Sequence, residues 1–147
     1  MTSLADAYAR LPHAGGMRLL ERVSAWDAHG IRCLTRSHQR PDNPLRAAAG
    51  LSCVHAIEYA AQAAAVHGVL CGVLTRGPVL LLAAAGDLDL ARPYLDDLPG
   101  ELCIEAALEA RAGASARYRF VLASDEQRCA SGTITLMPGP PEAAAAS

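Results

Sequence analysis

The chain has no lysine, one tryptophan and one phenylalanine, and aromatic residues make up only 4% of its 147 residues. Arginine supplies every fixed cation and the acids slightly outnumber it, leaving a formal net charge of -2. That balance argues against a general nucleic-acid or anionic-membrane surface. The five cysteines, Cys33, Cys53, Cys71, Cys103 and Cys129, are odd in number and include no CxxC pair. Neither a disulfide framework nor a zinc knot is expected, and a reducing cytoplasm fits best. Phosphate-binding and dinucleotide loops, a GxSxG elbow and metal-spaced clusters are all missing, so chemistry without cofactor or metal is expected. The N-terminal stretch MTSLADAYARLPHAGG has no apolar h-region, and no export signal is read there.

Hydrophobic residues account for 52% and charged residues for 19%, which excludes a disordered chain. Residues 1–137 read as a single domain and Pro138–Ser147 (PGPPEAAAAS) as a frayed tail. The longest apolar stretch, Leu51 to Leu74, is interrupted by His55, Glu58, Gln62 and His67. A carboxylate is costly in lipid, so a buried soluble helix is the better reading.

Residues 4–10 suit a short helix. Met17–Trp26 and Ile31–Ser37 read as strands joined by the turn Asp27-Ala28-His29-Gly30, and Gln39–Gly50 as a loop. Ser52 stands where an N-cap belongs, ahead of an Ala-rich helix to about Val66 or beyond. Four segments after Val79 alternate apolar and polar residues, as antiparallel strands with one buried face do. A single helix that is apolar almost all round must be enclosed. The simplest enclosure is an antiparallel sheet curled about it, the α+β architecture known as the hotdog fold.

Two segments carry a resemblance. Leu11-Pro12-His13 followed by Met17-Arg18-Leu19-Leu20-Glu21-Arg22-Val23 resembles the opening of hotdog-fold 3-hydroxyacyl-[acyl-carrier-protein] dehydratases. Val54-His55-Ala56-Ile57-Glu58-Tyr59-Ala60-Ala61-Gln62 resembles their V-x-x-x-E-x-x-A-Q helix. Asn43-Pro44-Leu45-Arg46 and Leu95-Asp96-Asp97-Leu98-Pro99-Gly100 are similar to the branch associated with aryl-polyene-type clusters. Two departures stand out: no histidine occupies the Asn43–Arg46 loop, where related dehydratases carry one, and Cys53 replaces a glycine near the helix start.

The resemblance implies elimination of water from a 3-hydroxyacyl thioester on acyl carrier protein or CoA, without cofactor. It implies a dimer, either of identical chains or with another hotdog subunit. Such chemistry needs a base for the C2 proton, an acid for the leaving hydroxyl and donors for the thioester oxygen. Glu58 is the candidate acid, because desolvation on a wrapped helix favours the protonated form. His13 is the first candidate base, with His55, three residues before Glu58, as the alternative and His38 as a third option. The backbone at Ser52, Cys53 and Val54 is expected to hold the thioester oxygen at the helix start. Gln62 is expected either to orient Glu58 beside the substrate or to bond backbone. Trp26 and Tyr59 read as packing residues, His29 as an exposed turn residue, and His67 as a helix-end residue favoured by the dipole. An acyl thioesterase using Glu58, and a non-catalytic partner of an active hotdog chain, are the competing readings.

Overall fold

The computed structural model describes residues 3–11, 15–73 and 80–138, with the side chains of Leu80 and Leu81 excepted. Candidate base His13 and the tail after Pro138 lie outside the described residues.

Helix α1 (Leu4–Ala9) opens with a capping box in which Ser3 and Asp6 satisfy each other's backbone N–H. Strands β1 (Arg22–Asp27) and β2 (Gly30–Thr35) form the first hairpin. The Asp27 carboxylate closes its turn by accepting from the His29 and Gly30 N–H groups. Helix α2 (Ala56–Leu70) follows, then β3 (Leu80–Leu90), β4 (Leu102–Ala112), β5 (Ser115–Ser124) and β6 (Gln127–Pro138). The β5–β6 turn places Asp125 and Glu126 at φ of 51° and 67°, the left-handed pair that matches strand twist in a two-residue hairpin. All strands join one antiparallel sheet in the order β1-β2-β4-β5-β6-β3.

The sheet curls around α2, as the sequence implies. Ile31 and Cys33 of β2, Ile104 of β4, Tyr118, Phe120 and Leu122 of β5 and Ile134 of β6 are buried on its inner face. Most of α2 is buried with them: Tyr59, Ala60, Ala63, Ala64, Val66 and Val69 are almost wholly inaccessible. Alanine does two things here. It favours the helix and lets the sheet approach the helix axis closely. The helix stops in a Schellman motif, with Val73 N–H on Gly68 O and Gly72 N–H on Val69 O. Gly72 sits at φ +77°, where a Cβ would be strained. Gly132 answers another need: a Cβ there would lie 2.8 Å from Leu88 Cδ2 and 2.9 Å from Gly86 O.

Two expected boundaries move. The first strand begins at Arg22 rather than Met17, because Gly15–Met17 form a 3-10 turn and the Leu19 and Leu20 N–H groups bond the side chains of Gln62 on α2 and Tyr8 on α1. The helix starts one turn late, since Cys53–His55 are a 3-10 turn leading into α2. Ser52 still caps that turn, its hydroxyl accepting from Val54 N–H.

The two sheet edges differ. β1 is short, bulged at Val23/Ala25 and bounded by Arg22 and Asp27, the usual protection of an exposed edge. β3 is nearly twice as long; it too has register shifts, at Leu82/Ala84 and Gly86/Asp89, and carries Asp87 and Asp89, but Leu82, Leu88 and Leu90 are each about 40% exposed. Leu82 and Leu90 lie opposite the buried Leu136 and Ala130, so they face the core side of the sheet where α2 does not cover them. Among the described residues, no helix is long and apolar enough to cross a membrane.

Candidate active site

The first turn of α2 and the 3-10 turn before it bring Val54, His55, Ile57, Glu58 and Ala61 to the least covered part of the helix. Val54 is 43% exposed, while His55, Ile57, Glu58 and Ala61 are half-buried. Glu58 follows Val54 by four residues and precedes Ala61 by three, the spacing of one helical stripe. Among the described residues Glu58 has no hydrogen bond or ion pair, although thirteen arginines are in the chain. The enclosure expected of it is therefore incomplete within the chain itself. The His55 side chain, three residues earlier and on a neighbouring part of the surface, is likewise without a polar partner among the described residues.

The backbone donors expected at the helix start are mostly occupied. Cys53 N–H bonds Pro93 O at 2.9 Å, and His55 N–H bonds Ser52 O at 3.0 Å. Val54 N–H is held only by its local cap, at 3.3 Å from Ser52 Oγ, and is the most easily freed of the three. Cys53 is a buried thiol 3.6 Å from Cys129 O, with its pKa raised chiefly by burial. It packs the helix start and offers no reactive thiolate.

Gln62 is committed elsewhere. Its Oε1 accepts from Tyr8 Oη at 2.6 Å and Leu19 N–H at 3.0 Å, and its Nε2 donates to Met17 O at 2.6 Å. Tyr8 Oη in turn accepts from Leu20 N–H. Of the two roles expected for Gln62, bonding backbone is the one seen. It pins α1 and the segment after residue 15 onto α2, and burial drives the Tyr8 hydroxyl pKa upward. Tyr8 was not singled out from sequence; a glutamine amid alanines was the signal that something polar had to meet it.

The loop before the helix is a second buried polar knot. Asn43 Nδ2 donates to Ser37 O and Tyr59 Oη, its Oδ1 accepts from Leu45 N–H, and Tyr59 Oη shares a hydrogen bond with Ser37 Oγ. Tyr59 is thus both a packing residue and an anchor. Arg46 is held by Asp96 at 2.8 Å, and the Asp96 carboxylate also accepts from Leu51 N–H. Those bonds keep the Asp96 pKa below the ordinary carboxylate range, the Leu51 N–H contributing most. His38 is fully buried and donates from Nε2 to Leu98 O, which removes it from the candidates for an accessible base.

Three further histidine and tryptophan expectations are settled by exposure. His29 is exposed in its turn. Trp26, expected to pack, is 45% exposed on edge strand β1. His67 is no surface helix-end residue: it is completely buried and hydrogen-bonded through both ring nitrogens. No group of three or more histidine, cysteine or acidic residues among the described residues could hold a metal ion. An open groove of about 570 Å³ crosses the outer sheet face between Trp26, Arg32, Glu105, Arg119 and Val121. It includes none of the candidate residues.

Comparison with known proteins bears on this arrangement. A search of curated proteins found no match. Among solved structures, the chain is similar to the dehydratase heterocomplex ApeI:P from Xenorhabdus doucetiae, with a TM-score of 0.77 and 18% identity over 91% of each chain. It is similar to Cj0977, a sigma28-regulated virulence protein from Campylobacter jejuni, with a TM-score of 0.63 and 13% identity over 92% of this chain and 89% of that one. A thioesterase from Staphylococcus aureus matches with a TM-score of 0.55 and 14% identity over 79% of this chain and 92% of that one. At these identities the likeness establishes the hotdog fold. A family model, described as ApeP dehydratase, matches residues 5–146. The chain belongs to the ApeP-like dehydratase family.

Proposed function

We propose that this chain takes part in the dehydration of a 3-hydroxyacyl thioester, carried on acyl carrier protein or CoA, to a trans-2-enoyl thioester. The observation that carries the reading is Glu58, half-buried and without a polar partner among the described residues, on the least covered stripe of the central helix. In the reaction an imidazole removes the C2 proton, the C2–C3 double bond forms and the C3–O bond breaks. Glu58 protonates the departing oxygen, which leaves as water. His13 is our first choice for the imidazole and His55 the alternative beside Glu58. The Val54 N–H, once released from Ser52, would support the developing charge on the thioester oxygen.

The site is completed by a second hotdog chain docked across β3. Support comes from the long β3 edge and the uncovered leucines on its core side, which a lone chain leaves in water. The similar heterocomplex makes a different hotdog subunit a reasonable partner. One observation favours a second reading, in which this chain is the non-catalytic half. The Asn43–Arg46 loop carries no histidine, and Asn43 is used up in holding Tyr59 and Ser37.

The test offers a crotonyl thioester to the chain alone and then with a hotdog partner. Hydration without thiol release supports the dehydratase reading, and thiol release makes the protein a thioesterase. In the active assembly Glu58→Gln should remove turnover while the fold persists. Full activity in that variant would leave this chain only the non-catalytic role.

A further inference from the structure

Beyond the candidate site, the far end of α2 holds a buried polar cluster that the proposed chemistry does not use. His67 has no exposed surface. Its Nε2 lies 2.7 Å from the backbone oxygen of Asp27 in the β1–β2 turn, and its Nδ1 lies 2.6 Å from Tyr118 Oη on β5. The chemistry of these partners fixes every proton. A carbonyl oxygen only accepts, so Nε2 carries hydrogen. The neutral ring then has its lone pair at Nδ1, so Tyr118 donates to it. The Tyr118 oxygen is left to accept, and Arg111 NH2 supplies that bond at 3.2 Å. Cys71 Sγ lies 3.3 Å from Nε2, one helical turn on. The Tyr118 and His67 rings meet edge to face.

Protonating this ring is doubly opposed. A hydrogen on Nδ1 would oblige Tyr118 Oη to accept from both His67 and Arg111 and to turn its own hydrogen away from the ring, forfeiting the bond it donates there. The charge would also be buried near the Arg111 guanidinium. Burial, foremost, and then Arg111 hold the His67 pKa below its ordinary value, against the raising pull of the Asp27 carbonyl and carboxylate. Among the described residues, the titratable and charged groups facing the ring are Asp27 from the hairpin, Arg111 from β4, Tyr118 from β5 and Cys71 from α2. Tyr118 is itself pushed up to about 12, mainly by burial, so it stays a donor at any ordinary pH.

We propose that His67 is an acid-sensitive latch: as the neutral ring it fastens the β1–β2 hairpin to the end of the central helix, and protonation lets the hairpin go. The hairpin is the part of the sheet best placed to respond. It forms the edge, β1 is largely exposed, and its pairing is interrupted by a bulge. In the released state His67 regains a pKa of about 6.5. Release therefore grows as pH falls below that value, by up to about tenfold per pH unit, until the ring of the closed state is itself protonated.

Amide hydrogen exchange from pH 8 to pH 5, corrected for intrinsic rates, tests this in the intact protein. The β1–β2 amides should lose up to about tenfold of their protection per pH unit below about 6.5, while the central β5 amides lose less. Trp26, the sole tryptophan and the neighbour of Asp27, should show a parallel fall in fluorescence anisotropy. In His67→Gln the side-chain oxygen and NH2 can replace Nδ1 and Nε2–H without titrating, so hairpin protection should become flat with pH. A flat profile in the unaltered chain, or an unchanged pH dependence in His67→Gln, would overturn the proposal. Should that variant not fold, ring-nitrogen NMR of the native protein decides. Nε2–H alone at neutral pH supports the latch, and a charged or Nδ1–H ring refutes it.

Discussion

Gln62→Glu is a substitution of nearly equal size whose effect the structure specifies in sign and in pH. In the native protein three hydrogen bonds converge on the Gln62 amide, two accepted by Oε1 and one donated by Nε2 to Met17 O at 2.6 Å, with the residue 1% exposed. A glutamate keeps the two acceptor bonds but turns the third into an oxygen facing an oxygen. Ionised, it must also bear its charge in a nearly closed site. One unsatisfied buried pair costs about 1–3 kcal/mol and the ionised carboxyl adds to it, so the variant should lose about 3 kcal/mol or more at pH 8. Protonation restores a donor toward Met17 O. The folded-state pKa of the new glutamate is consequently raised above its unfolded value near 4.3. A raised carboxyl pKa contributes stability that is present below the unfolded value and lost as pH rises through the folded one. The deficit should therefore shrink toward about 1 kcal/mol or less on going from pH 8 to pH 5, by at most about 1.4 kcal/mol per pH unit. Urea unfolding of both proteins at each pH, at one fixed protein concentration because association would shift the midpoint, measures the difference. A deficit independent of pH, or none at pH 8, would refute the assignment of Gln62 as the pin between α2 and the segment after residue 15.

Three other outcomes follow from the same structure. The His38 and His67 pKa values are both lowered, chiefly by burial. Their stabilisation is complete above about pH 6.5 and is lost as pH falls below it, by up to about 1.4 kcal/mol per unit for each ring; denaturant midpoints of the protein and of His38→Gln measure this. Tyr59→Phe strips a partner from both Ser37 Oγ and Asn43 Nδ2 and should cost about 1–3 kcal/mol by the same denaturation assay. Leu82→Arg with Leu90→Arg places two charges on the uncovered side of β3; light scattering should show loss of association with the folded chain intact, and unchanged assembly would remove β3 as the docking edge.

Much of the architecture was legible because it is periodic. The alternation of Leu102, Ile104 and Ala106 against Cys103, Glu105 and Ala107 fixes one face of β4, and the buried residues follow it. The Ala-rich run after Ser52 likewise announces α2. Met17–Glu21 misled because its adjacent leucines look like strand, whereas Met17 O and the Leu19 and Leu20 N–H groups bond the Gln62 and Tyr8 side chains, and strand pairing is reached only at Glu21 N–H on Leu34 O. Local sequence holds no trace of that pairing. The same limit applies to His67: a histidine near a helix end suggests a dipole contact, and only the fold brings Tyr118 to it from 51 residues away. Trp26 misled in the other direction, since size favours burial while an edge strand has nothing to bury it against. At the candidate site the helix position of Glu58 was readable from its spacing. That Val54 N–H is tied to a local cap and Cys53 N–H to Pro93 was not, because Pro93 arrives from beyond β3.

The unequal margins of the sheet limit how this protein can polymerise. If both outer strands were long and greasy, copies could add end to end without stopping, and a fibre would be the natural product. A second copy docked on β3, as proposed above, would use up its own leucine-bearing margin and turn its short, charge-bounded β1 outward. Under that proposal growth along the hydrogen-bonding direction would end after one addition, and the leucine-bearing margin would act as a counting device that stops at two.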